Sequence, residues 1–123
     1  MMTGLIWLIQ LVHYPSFKYV DKEEFADFAK FHASRISWIV LPLMIVELTT
    51  GILMVVKQGW YLYNLILLFA IWLSTFLLSV PCHHKLQQGK DAQQIRRLVL
   101  SNWPRTFLWS LRSLIWFMHL LAL

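Results

Sequence analysis

From Gln58 to His84 the chain carries no Asp, Glu, Lys or Arg, and residues 60–80 within that run are almost wholly apolar. A helix needs roughly 17–25 apolar residues to cross a hydrocarbon core of about 30 Å, so this segment is long enough by itself. Residues 36–56 meet the same condition with one interruption, Glu47, and residues 104–123 meet it with Arg112 inside. Residues 1–17 form a shorter charge-free run. It lacks the positive n-region and the small-x-small pattern of a cleaved signal peptide before His13-Tyr14-Pro15, so it is read as a span. Only 14% of the residues are charged, against about 25% in soluble domains. The expected fold is all-α: an integral membrane four-helix bundle in one transmembrane domain, residues 1–123, with spans about 1–17, 36–56, 60–80 and 104–123.

The charges give this bundle a direction. Of 11 Lys and Arg residues, only Lys57 and Arg112 fall outside residues 18–35 and 85–105. With four spans those two stretches share one side, and the positive-inside rule makes them cytoplasmic loops with both termini exoplasmic. The expected location is the cell inner membrane, multi-pass. The net charge of +5 is then topogenic, facing anionic lipid headgroups. Nucleic acid is not an expected partner, because no recognition motif accompanies the charge.

Both loops carry helical signals. Asp21 and Glu24 are spaced as a capping box, and Phe25, Phe28, His32 and Ile36 recur at helical spacing. In the second loop Gly89 breaks the chain and Asp91 can cap. Ile95, Leu98 and Val99 form a stripe beside Arg96 and Arg97. These patterns predict amphipathic interfacial helices in both cytoplasmic loops, the first bending or continuing into the second span. Asn102 can cap the last span, with Pro104 in its first turn. Lys57-Gln58-Gly59 reads as the exoplasmic turn, and Trp7, Trp38, Trp60, Tyr61, Tyr63, Trp103, Trp109 and Trp116, spread over both ends of the spans, as a set that supplies many aromatic-belt residues.

Polar residues inside an apolar bundle mark where to look for function. Helix rise places Glu47 roughly 16 Å and Arg112 roughly 12 Å from the cytoplasmic face. One reading is an ion pair fixing helix register; another is a proton-carrying or ligand-binding carboxylate near midplane. Gln10 and His13 lie three apart on one helix face, and Pro42 frees a carbonyl near Glu47. Ser74 and Thr75 offer hydroxyls, while Thr49, Thr50 and Gly51 offer close helix contacts. His13, His32, His83 and His84 fall in one slab at the cytoplasmic side, with His119 alone at the other end. Imidazole ligates haem and divalent metals, so these four are candidate metal or haem ligands, or walls of a quinone-like pocket. No spacing motif such as H-x-x-x-H supports ligation. The single Cys82 excludes an intrachain disulfide, and four isolated glycines exclude a phosphate-cradling loop.

The segments W-L-I-Q-L-V-H-Y-P-S-F (Trp7 to Phe17), F-H-A-S-R-I (Phe31 to Ile36) and L-P-L-M-I-V-E-L (Leu41 to Leu48) carry a resemblance. It continues in P-C-H-H-K-L-Q-Q-G (Pro81 to Gly89) and N-W-P-R-T-F-L-W-S-L-R (Asn102 to Arg112). Through these the chain resembles a group of small, uncharacterised bacterial four-span integral membrane proteins. The layout is also loosely similar to four-span families with haem-binding and quinone-reducing members, by architecture only. The resemblance implies a multi-pass inner-membrane protein and draws attention to Gln10, His13, Glu47, His83, Arg105 and Arg112 as ligand- or proton-binding candidates. Three function classes follow. The first is a structural, partner- or ligand-binding bundle with a polar pocket near the cytoplasmic face. The second is an oxidoreductase or oxygenase-like enzyme using haem, metal or quinone. The third is a small transporter component using Glu47, working as a homo-oligomer.

Overall fold

The computed structural model describes residues 1–123 except the side chain of Trp60, so the belt role expected of Trp60 lies outside the described residues. All regular structure among the described residues is helical, in four successive rods. The first, α1, comprises Met2–Leu8, a π turn Ile9–His13, a short α segment Tyr14–Ser16 and a 3-10 turn Phe17–Tyr19. Helix α2 is Phe25–Lys57. A 3-10 turn Gly59–Tyr61 leads into α3, which runs through Leu62–Ser74, a π turn Thr75–Ser79 and Val80–Leu86. Helix α4 is Ala92–Leu121. Two of the rods, Phe25–Lys57 and Leu62–Leu86, are long and apolar enough to cross a membrane.

Both π turns sit just before a proline. A proline ring clashes with the carbonyl four residues back and cannot donate to it. For Pro15 and Pro81 those carbonyls belong to Leu11 and Leu77, inside the two π turns. The chain answers by widening: the Tyr14 amide donates to the Ile9 carbonyl and the Val80 amide to the Thr75 carbonyl, each five residues back. The extra residue shifts the inward face, so Ile9 and Gln10 are both buried, followed by Tyr14 and Phe17. Pro42 and Pro104, by contrast, lie inside uninterrupted α-helix.

Several local expectations change. Helix α2 starts at Phe25 with Glu24 at its cap position and no side-chain cap, so the Asp21–Glu24 box does not form. Asp21 is a turn too far upstream. The start is set instead by Phe25, fully buried against Phe17 and Phe28. The first loop helix, expected to bend or continue into the following apolar segment, is continuous with it in Phe25–Lys57. The second is the beginning of α4, and its apolar stripe, Ile95 and Leu98, packs into the protein core with Cys82 and Leu86. Asn102 is therefore mid-helix and caps nothing; the helix passes through Pro104 because the residues around it are locked by buried hydrogen bonds. Asp91 does cap α4, accepting from the Gln93 and Gln94 amides at 2.9 and 3.3 Å. Gly89 takes a positive φ of 152° in the preceding turn. Thr49 and Thr50 are exposed and bond to carbonyls of their own helix, leaving Gly51 alone of the three against α3.

Helix α4 packs against α1 and α3, and α2 packs against α3. One apolar cluster at the loop end gathers Tyr14, Phe17, Phe25, Leu86 and Leu98. A second, further along, holds Met2, Ile6, Met44, Ile71 and Trp109. The Lys90 ammonium ties the two loops together by donating to the carbonyls of Lys18 and Val20 at 2.8 and 2.6 Å.

Candidate functional site

Between the two apolar clusters lies a polar layer. Gln10 is buried and donates from Nε2 to the Val99 carbonyl at 3.2 Å. Its Oε1 accepts from Asn102 Nδ2 at 2.9 Å and from the Thr106 hydroxyl at 3.3 Å. Asn102 Oδ1 in turn accepts from Arg105 Nη2, which also donates to the Tyr14 hydroxyl at 3.5 Å. Arginine only donates, so Tyr14 accepts there and its own proton is free for His83 Nε2, 3.0 Å away. The direction of the whole chain of bonds is thereby fixed from Arg105 outward.

The histidines extend this chain. The His83 and His32 rings stack with centroids 5.5 Å apart, and His32 Nδ1 lies 2.7 Å from His13 Nε2. A hydrogen bond between two imidazoles requires that one of the facing nitrogens carry no proton. The structure thus brings His13, His32 and His83 together and leaves His84 exposed outside them. His84, the fourth candidate, does not join them, because His83 and His84 are consecutive on one helix and point about 100° apart. Among the described residues no group of three or more His, Cys, Asp or Glu side chains is arranged to hold a metal ion. Cys82 is buried in the apolar cluster at the loop end.

Beside the polar layer is a cavity of about 240 Å³, bounded by all four helices. The π turn of α3 contributes Thr75, Phe76 and Ser79 to its wall, and the residue after the π turn of α1 contributes Tyr14. Helix α4 contributes Arg105 and Trp109, and His83 closes the loop end. Most of the remaining wall is apolar. Ser37, Leu41, Phe76 and Val80 on the cavity wall are exposed on the outer surface, so the cavity reaches that surface between α2 and α3. Two residues that line the cavity each carry a buried polar atom without a partner: Arg105 at Nε, with the residue 5% exposed, and Ser79 at Oγ, with the residue 2% exposed.

No family model, curated protein or solved structure matches this chain. The site is therefore read from its own geometry.

Glu47 and Arg112 form a separate centre. Arg112 Nη1 and Glu47 Oε2 are 2.6 Å apart, and the Trp109 indole donates to the same oxygen at 3.0 Å. Arg112 Nε donates to Asn64 Oδ1 at 2.6 Å, and Trp116 donates to it at 3.2 Å. This clamp joins α2, α3 and α4, and of its members only Trp109 also borders the cavity. At the far end His119 is not alone, since Tyr61 Oη lies 3.4 Å from its Nε2. Sequence reasoning missed Tyr14, Ser79, Asn102 and Thr106 as members of the site. Asn102 was legible only as a cap, and Tyr14 and Ser79 face inward because of π turns that helical periodicity does not register.

Proposed function

We propose that this chain is a four-span protein of the cell inner membrane, with both large loops cytoplasmic, that binds a small amphipathic molecule head-first in the cavity beside Arg105. The distribution of side chains supports the membrane part. Large apolar residues such as Trp38 at 78% and Val56 at 80% exposure face outward, while Gln10, Asn64, Asn102, Arg105 and Thr106 are buried inside. Water would penalise that arrangement and lipid favours it. The Lys and Arg bias toward the two loops supports the orientation.

One observation carries the ligand part: a buried arginine that lines a cavity reaching the apolar surface and has one N–H without a partner. Buried donors are almost always paired, and a mostly apolar pocket with a few polar groups is the usual form of a small-molecule site. A lipid-borne ligand would slide between α2 and α3 with its head toward Tyr14, His83 and Arg105 and its tail toward the bilayer. Glu47 is already held by Arg112 and Trp109, so the clamp serves the bundle rather than the ligand.

The test uses purified protein in proteoliposomes with a photoreactive, alkyne-tagged sixteen-carbon chain, presented as an acid and as an alcohol. At least one probe is expected to label peptides bordering the cavity, and Leu41→Trp at the opening is expected to abolish most of that labelling. Labelling confined to outward-facing residues, with both probes and insensitive to Leu41→Trp, rules the pocket out.

A further inference from the structure

We infer that the head accepted by this cavity is a carboxylate, and that the ligand is a single-chain acid of the fatty-acid class bound as a counterion to Arg105. This rests on the ligand-binding reading above and adds the chemistry of the head.

Charge is the first argument. The one ion pair among the described residues is Glu47–Arg112, so no carboxylate of the chain neutralises Arg105. Asn102 and Tyr14 give it neutral oxygen partners only. A buried cation without a counterion is costly, and removing that cost favours an anionic occupant over a neutral one. Charge-assisted hydrogen bonds are also roughly twice as strong as neutral ones.

The unpartnered atoms agree. Arg105 Nε can only donate and the Ser79 hydroxyl can donate, and both residues border the cavity. A carboxylate, which only accepts, offers two oxygens to these two groups. An amine head would meet the Arg105 donor with a second donor.

Size separates single-chain from larger acids. The cavity of about 240 Å³ exceeds the ~150 Å³ that encloses a benzene ring and falls short of the ~300 Å³ at which drug-sized pockets begin. A carboxylate with its first several methylenes fits that space; a glycerophosphate head with two chains does not. The wall beyond the polar end, Ile6, Ile9, Val40, Met44 and Phe76, suits methylenes, and the gap by Leu41 and Val80 lets the rest of the chain leave.

The experiment is equilibrium binding of radiolabelled palmitate, methyl palmitate and monohexadecyl phosphate to the full chain in nanodiscs. Wild type is expected to bind palmitate saturably at one site and methyl palmitate at least about tenfold more weakly, as a charge-assisted bond of this kind implies. Arg105→Gln is expected to remove that preference, so that the variant binds palmitate no more tightly than methyl palmitate. Ser79→Ala, a milder change on a different helix, is expected to weaken palmitate selectively, so the inference stays testable if Arg105→Gln does not fold. Equal binding of palmitate and its ester in wild type overturns the carboxylate head but leaves an amphiphile pocket standing. Stronger binding of the phosphate than of palmitate overturns the carboxylate in favour of another anion. No saturable binding of any of the three overturns both this inference and the pocket.

Discussion

Replacing Glu47 by Gln and Arg112 by Gln, singly and together, tests whether the mid-bundle charges act as a structural unit. The two side chains are 23% and 11% exposed, so the pair is largely withdrawn from its surroundings. Removing one member of a buried pair costs about 3–5 kcal/mol, mostly by stranding the other charge. Two features move the expectation to the lower end. In Glu47→Gln the amide oxygen can still accept from Trp109 while Arg112 keeps its bond to Asn64, and in Arg112→Gln the Glu47 carboxylate keeps the Trp109 donor while Asn64 keeps Trp116. Each single change is therefore expected to destabilise by about 2–3 kcal/mol. For a chain of this size that is a fall in Tm of roughly 10 °C. The double change strands no charge and is expected to cost about as much as either single one, giving a coupling of about 2 kcal/mol. Thermal unfolding in detergent followed by tryptophan fluorescence reads this directly, because Trp109 and Trp116 bond into the clamp. If the double variant loses the sum of the two single losses, the charges act independently and the clamp reading fails.

Three smaller perturbations probe other parts of the argument. Asn102→Leu leaves Gln10 and Arg105 short of a partner in the buried layer, and is expected to cost at least about 2 kcal/mol in thermal unfolding; a loss under half of that would mean the layer is dispensable. Asp91→Ala removes an oxygen that two amides share, with an expected loss of about 1 kcal/mol and faster amide exchange confined to the first turn of α4. Gly51→Ala places a methyl 3.5 Å from Leu68 Cδ2, an ordinary contact. Its Tm is expected to hold or rise by a few degrees, since Ala favours helix by up to about 1 kcal/mol, and a clear fall would show that α2 and α3 pack more closely there.

What was readable in the sequence was what depends on long runs or on one residue meeting its own neighbours. Four apolar stretches became four helical rods, Gly89 and Asp91 punctuate the second loop, and two charges at similar depth met. What escaped depends on tertiary contact. The first turn of α2 is chosen by Phe25 reaching Phe17, not by Asp21. Asn102 and Pro104 look like the opening of a helix, yet both lie inside one, because Gln10 supplies from another rod the partner that a cap would have sought in the backbone. Histidines sharing a slab were legible; their azimuth around each helix was not, and it is azimuth that joins His83 to His32 and leaves His84 outside.

Azimuth is also what the two prolines control, and this ties the backbone to the proposed chemistry. A π turn inserts one residue without ending the helix, so every side chain beyond it is rotated by about 100° relative to an unbroken α-helix. In α1 the residues beyond the turn begin with Tyr14, and in α3 they include His83; these two bond each other across the bundle. With both helices unbroken, Tyr14 and His83 would each be turned away from the positions that let one hydroxyl bridge Arg105 and an imidazole. Tyr14 and His83 at the polar end of the cavity are thus aimed by proline sterics, Pro15 one residue after the first and Pro81 two residues before the second, rather than by the cavity's own packing. The proposed binding site, depending on such turns, is built into the backbone before any ligand arrives, which is the preorganisation that a buried arginine with one spare N–H requires.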